Sequence, residues 1–236
     1  MFGEVLILRR GLLLGSLGVG SDLKNRSRAQ LRLLLVSLLS LIGFLFVVLS
    51  KSVFVPMDAS MNSWSTSIQT APLTLMAEVI AYCFDTTPLF VASLLIAAFL
   101  VYKNRKENAL LLAGAMGGDA AIVVIVKALV HSERPLNGIM QEMGFSFPSG
   151  HVTSSVVFLG LLTCFAFQYL KSSKAKTLTG MLYVAAVLLV GFYRIYLNVH
   201  WFSDVLGGYL LGAFLLMFAI LALQYLEISP HLPHEG

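Results

Sequence analysis

Three short stretches cluster side chains able to do polar chemistry in a largely apolar chain: Lys127 to Pro135, Phe145 to His151, and Tyr193 to Asp204. Lys127 and Arg134 are seven residues apart, close to two helical turns, so on a continuing helix both cations point one way. Pro135 ends that stretch by fixing the backbone. Pro148, Ser149, Gly150 and His151 read as a helix start: proline suits a first turn, serine caps it, and glycine lets a ligand approach the backbone. The free amides there, with the helix dipole, make an anion site. Lys127, Arg134 and Arg194 complete a cationic cradle suited to phosphate, whose oxygens a guanidinium fork binds in pairs. His200 and Asp204 are four apart and share a face on a helix, so the carboxylate holds the imidazole tautomer and favours its charged form. This makes His200 the candidate nucleophile, activated by Asp204. His151, on the opposite wall, is the candidate general acid for the leaving oxygen.

The elements that must position these residues are membrane spans. Of 236 residues, 58% are hydrophobic and 12% charged, about half the charge of a soluble domain. Apolar runs at Leu31–Ser50, Pro88–Tyr102, Ala109–Val130, Val152–Leu170, Leu178–Leu197 and Ser203–Leu226 predict six helices, since about twenty residues cross the hydrocarbon core. The second run is short, and Ala71–Phe84 either lengthens it or lies in the interface. The expected fold is all-α: a polytopic six-helix bundle over residues 31–226, between a cytoplasmic segment (1–30) and a cytoplasmic tail (227–236).

Twelve of the sixteen Lys and Arg fall on one side of such a bundle. They are Arg9, Arg10, Lys24, Arg26, Arg28 and Arg32 before span one, Lys103, Arg105 and Lys106 after span two, and Lys171, Lys174 and Lys176 after span four. By the positive-inside rule that side is cytoplasmic. The other four, Lys51, Lys127, Arg134 and Arg194, lie near the opposite face with all three motifs. Clustered charge at that depth is costly and marks a site. The net charge of +4 therefore reports orientation, and nucleic acid is not an expected partner. Phe2–Gly20, interrupted by Arg9 and Arg10, reads as an amphipathic segment on the cytoplasmic surface. Between spans one and two, Met57, Met61, Trp64 and Ile68 recur at helical spacing, which fits a short outer helix in the interface anchored by Trp64, with an irregular loop the alternative.

Other polar residues have simpler readings. Cys83 and Cys164 have no metal-type spacing and read as packing residues. His131 reads as structural, and His231 and His234 as solvated. Asp119, inside span three, is protonated or paired. Asp85 reads as a helix cap, and Glu133 as the partner of neighbouring Arg134. Gly114, Gly117, Gly118, Gly207, Gly208 and Gly212 read as close-packing positions between helices.

The ordered set Lys127-x6-Arg134-Pro135, Pro148-Ser149-Gly150-His151 and Arg194-x5-His200-x3-Asp204 resembles the type 2 phosphatidic acid phosphatase superfamily, across roughly residues 31–226. The resemblance implies a six-helix core in which Lys127, Arg134 and Arg194 bind phosphate oxygens and Ser149 and Gly150 add hydrogen bonds. It also implies that His200 attacks phosphorus to form a phosphohistidine, that Asp204 orients it, and that His151 protonates the leaving group and then activates water. No metal or other cofactor is implied. One position departs: Tyr193 stands where the family's third motif usually has serine.

The function expected is hydrolysis of a lipid phosphomonoester or diphosphate, such as phosphatidate, phosphatidylglycerol phosphate or undecaprenyl diphosphate. The alternatives are phosphotransfer from a lipid diphosphate, sharing the phosphohistidine, and a non-enzymatic anion transporter. A transporter has no need of the His–Asp pair and tends to carry an internal repeat, which the sequence does not show. The expected partners are the lipid substrate and membrane lipids, with homo-oligomerisation left open. The expected location is a bacterial inner membrane, with the site facing the periplasm or exterior.

Overall fold

The computed structural model describes residues 19–228. The amphipathic reading of Phe2–Gly20 therefore falls almost wholly outside the described residues, as do His231, His234 and nearly all of the predicted tail. Among the described residues there are eight helices: α1 (Val19–Leu49), α2 (Lys51–Ser67), α3 (Ala71–Cys83), α4 (Thr86–Tyr102), α5 (Lys106–Val130), α6 (Gly150–Tyr169), α7 (Ser173–Tyr196) and α8 (Phe202–Ile228).

Five of them, α1, α5, α6, α7 and α8, are long and apolar enough to cross a bilayer. The pair α3 and α4, bent by 46° at its break, is apolar enough when taken together, and makes a sixth span if the two cross as one. Such a span is two helices, which reconciles its short apolar run with the helical Ala71–Phe84 segment. Helix α1 starts well before Leu31, so residues 19–30 continue into the first span.

Helix α6 is the axis of the bundle. Its most apolar stretch is 83% buried, against 22–50% for the other four long spans, because α4, α5, α7 and α8 all pack on it. A helix surrounded on all sides needs no polar face. Lipid gives helices no hydrophobic drive to associate, so close approach through small residues carries the packing. On α8, a Cβ at Gly208 would sit 3.0 Å from the Ser149 carbonyl, and one at Gly212 3.0 Å from the Thr153 carbonyl. Those glycines bring α8 against the start of α6, as expected. Gly114, Gly117 and Gly118 depart from that expectation, since a Cβ at any of them meets nothing within 4 Å. Leu39, Ile42 and Leu45 on α1 and Leu182 and Leu188 on α7 face outward, as lipid-facing surface should. Cys164 is buried, but Cys83 is exposed.

The short helix predicted between spans one and two is present as α2. Trp64 is largely exposed and meets the Phe192 ring edge-on at 6.3 Å. The stripe turned to the protein includes Lys51, Asp58, Asn62 and Ser65, also at helical spacing. It is polar because α2 lies over the loops that close this end of the bundle. Asp58 accepts from both the amide (2.8 Å) and the hydroxyl (2.8 Å) of Ser203 at the start of α8. Ser65 donates to Asn198, and the Asn198 amide donates to Thr66 at 2.8 Å. The helix therefore clamps the α7–α8 turn.

Candidate active site

The three motifs converge at one end of the bundle, by routes other than simple helical spacing. Helix α5 stops at Val130, where His131 takes a left-handed backbone (φ 51°), so Lys127 and Arg134 do not share a helix. They meet because both donate to one carbonyl, that of Phe145: Lys127 Nζ at 2.6 Å and Arg134 Nη2 at 3.5 Å. Arg134 also donates from Nε to the Gly144 carbonyl at 3.1 Å and from Nη1 to the Val199 carbonyl at 2.8 Å. The guanidinium thus ties the 131–149 loop to the α7–α8 turn. His131 is exposed and packs edge-on against Phe145, which is the structural role expected of it.

Ser149 occupies the N-cap position of α6, but its side chain makes no capping bond. Pro148 lies before the cap, outside the first turn where the sequence suggested it. The Ser149 amide donates to the Asp204 carbonyl at 3.1 Å, which fixes the cap against α8. Its hydroxyl is buried without a partner among the described residues. The first-turn amides of α6 thus stay available to an anion. Gly150 is needed for packing as well, since a Cβ there would lie 3.1 Å from Thr86 Oγ1.

His200 lies in the turn before α8, not on the helix, while Asp204 is in its first turn. Asp204 Oδ2 accepts from the Trp201 amide at 2.9 Å and lies 3.5 Å from His200 Nδ1. The first contact is the reach-back half of a capping box. With a carboxylate beside Nδ1, the proton belongs there, and Nε2 presents its lone pair toward Arg134 Nη1 at 3.3 Å. Burial first, then the positive charges of Arg194, Arg134 and Lys127, push His200 well below the usual histidine range. The imidazole is therefore neutral in the free protein, contrary to the expectation that Asp204 would favour its charged form. Asp204 is one anion among three cations, and the ring is fully desolvated.

Arg194, in the last turn of α7, is wholly buried. One terminal nitrogen pairs with Glu142, while Nε and Nη1 lack partners among the described residues. Glu142 also lies 3.6 Å from Arg134, so its carboxylate bridges the two arginines where an anion would bind. Burial is the largest single influence and opposes its charge, but the charge and hydrogen bond of Arg194 together with the nearby histidines outweigh it and hold the carboxyl at about 2. Arg134 thus pairs with Glu142, not with Glu133. The Glu133 backbone carbonyl instead accepts from Trp201 Nε1 at 2.8 Å. Tyr193, at the family's serine position, packs against Phe192 and Tyr196.

Sequence reasoning missed two residues of this site besides Glu142. Lys51 Nζ reaches Asp204 Oδ1 at 3.1 Å and Ser132 at 2.6 Å, and lies 4.6 Å over the Phe147 ring. Its one sequence signal was a lone cation on the wrong side for topology. Asp85 stands at the N-cap of α4 but makes no capping bond; its carboxylate lies 3.9 Å from His151 Nε2. Asp119 is buried and accepts from Ser154 at 2.6 Å, so it is paired as anticipated. Among the described residues, no three His, Cys, Asp or Glu are grouped to hold a metal ion.

The arrangement offers a neutral imidazole nitrogen, three cations, unpaired donors at a helix start and a second histidine beside them. The chain is similar to phosphatidylglycerophosphatase B of Bacillus subtilis (strain 168), with 31% identity over 123 residues, covering 51% of this chain and 61% of that protein. The match thus spans less than two thirds of that relative. The crystal structure of a transmembrane PAP2 type phosphatidylglycerolphosphate phosphatase from Bacillus subtilis matches with a TM-score of 0.70 and 25% identity, over 78% of this chain and 93% of that one. The profile of the PAP2 superfamily matches residues 108–228, a stretch that runs from α5 to the end of α8 and includes all three motifs, and the chain therefore belongs to that superfamily.

Proposed function

We propose that the protein is a metal-independent lipid phosphate phosphatase working through a phosphohistidine, with phosphatidylglycerol phosphate the first substrate to test. The observation that carries this reading is that Arg134 meets His200 Nε2 at 3.3 Å and Lys127 and Arg194 stand near enough for their charges to act on the same ring, with buried donors of Arg194 and Ser149 that have no partner among the described residues. Unpaired buried donors cost free energy unless a ligand uses them. The relative's name supports the substrate class.

In the first step, a phosphomonoester displaces the Glu142 carboxylate from the arginines. His200 Nε2 attacks phosphorus, the P–O bond to the lipid breaks, and His151 gives its proton to the departing alkoxide. In the second step His151 takes a proton from water, whose oxygen attacks phosphorus; the P–N bond breaks and phosphate leaves. Asp204, held by Lys51, keeps the Nδ1 proton of His200 in place throughout. Ser149 and the α6 amides hold the phosphoryl oxygens. A lipid diphosphate fits the same steps, and a second acceptor in place of water would make the enzyme a phosphotransferase. The anion-transporter reading leaves the His200–Asp204–Lys51 chain without a purpose.

Three cations supply the charge that a metal supplies elsewhere, so phosphate release from phosphatidylglycerol phosphate by detergent-purified protein should persist in excess EDTA. Activity lost in EDTA and restored by Mg²⁺ would refute metal independence. Vanadate adopts five-coordinate geometry in the same cradle and should inhibit; activity unchanged in roughly millimolar vanadate would count against the phosphohistidine.

The site faces away from the cytoplasm in this proposal, because Lys103, Arg105, Lys106, Lys171, Lys174 and Lys176 lie at the opposite ends of the spans. The location proposed is a bacterial inner membrane, the similar protein being from Bacillus, with the site on the periplasmic or exterior face. Lys174→Cys should resist membrane-impermeant thiol reagent in intact cells and react after lysis. Labelling from outside would reverse the orientation.

A further inference from the structure

We infer that Asp85 is a positioning residue for the acid–base histidine, His151, and that the break in the second span exists to present it. This rests on the phosphatase reading above. In sequence, His151 has no carboxylate near it, and Asp85 looks like an ordinary helix cap. The structure separates Asp85 from that role: it occupies the N-cap of α4 with extended backbone (φ −64°, ψ 150°), yet its side chain caps nothing. Instead Oδ1 lies 3.9 Å from His151 Nε2.

A second group comes from the same break. Helix α3 ends at Cys83, and the Ala81 carbonyl, near its end, addresses the His151 ring. The carbonyl end of a helix carries partial negative charge and favours a cation. A straight span would commit that carbonyl to the amide four residues on. The 46° bend is therefore what turns both acceptors toward the first turn of α6. Gly150 keeps the two elements close, since any side chain there would press on Thr86, next to Asp85.

The other charged groups facing His151 are the cations Arg194 and Lys127 and the carboxylate of Glu142. Glu142 lies on the cradle and gives way to phosphate. Asp85 lies outside the cradle, at the half-exposed edge of the site. It remains beside His151 through both steps, orienting the imidazolium that donates to the alkoxide and the imidazole that takes a proton from water.

The test uses purified full-length protein and two substrates, phosphatidylglycerol phosphate, whose alkoxide needs a proton to leave, and p-nitrophenyl phosphate, whose phenolate does not. Asp85→Asn should lower kcat on the lipid by about 10–100-fold with KM changed less than about threefold, the scale seen when the carboxylate partner of a working histidine is lost. The loss in kcat/KM, which reports only the step in which the leaving group departs, should be at least about tenfold smaller on the aryl ester, and Asp85→Glu should recover most of the lipid activity. Equal losses on both substrates, or no loss on the lipid, overturn the inference while leaving the phosphatase reading intact. Wild-type protein that hydrolyses neither substrate overturns that reading, and the role of Asp85 with it.

Discussion

His200→Ala is expected to abolish turnover of every phosphate ester, by about 10⁴-fold or more, whereas His151→Ala should lose most on esters with poor leaving groups. The difference follows from where each ring sits. His200 is wedged between Asp204 on its Nδ1 side and Arg134 on its Nε2 side, so the lone pair that meets phosphorus is held in one direction. Without it there is no covalent route, and the residual rate is that of water in a cationic pocket. His151 stands at the helix start among the phosphate donors, beside acceptors that orient a proton. Its removal costs about 10²–10⁴-fold in kcat/KM where the alkoxide must be protonated, and much less in kcat/KM with p-nitrophenolate, which departs without a proton although hydrolysis of the intermediate is still slowed. Rapid-quench trapping with ³²P-labelled aryl ester separates the two. Wild type should carry transient label, His200→Ala none, and His151→Ala persistent label, because water is no longer activated for the second step. Label on His200→Ala with none on His151→Ala would exchange the assignments.

Arg194→Lys should lower kcat/KM by about 10²–10³-fold although it keeps the charge. Arg194 is fully buried at the end of α7, with one nitrogen on Glu142 and two others without partners among the described residues, placed to take an oxyanion. A lysine presents a single ammonium in place of the fork. The lost donors are those that strengthen as charge builds on the phosphoryl oxygens, so the loss should appear mainly in kcat. It should also weaken vanadate inhibition in parallel, since vanadate uses the same geometry. An Arg194→Lys enzyme within about threefold of wild type, with vanadate inhibition unchanged, would remove Arg194 from the cradle. The circular dichroism spectrum and thermal midpoint of the variant exclude simple misfolding as the cause.

Sequence alone determined that the chain is a multi-pass helical membrane protein, that its basic residues divide twelve to four, and that three motifs share one end of the bundle. These are legible because apolar length, charge asymmetry and chain alternation are local or additive properties. The candidate cradle residues were legible for the same reason: Lys127, Arg134, Ser149, Gly150, His151, Arg194, His200 and Asp204 stand in ordered motifs. How they meet was not. A helix was expected to carry Arg134 toward Lys127, but α5 stops at Val130, and a shared carbonyl joins them instead. The charge state of His200 was misread because spacing shows the one nearby anion and hides the three cations and the burial. Lys51, Asp85 and Glu142 were invisible as site residues, since each lies far along the chain from the side chain it serves or sits in a loop without periodicity. Only the tertiary structure decided that α2 turns a polar stripe inward, that the second span is broken, and that Glu142 bridges the arginines. Contacts between distant segments depend on three-dimensional geometry, and pairs such as Lys51 and Asp204, 153 residues apart, leave no mark on the local pattern of either.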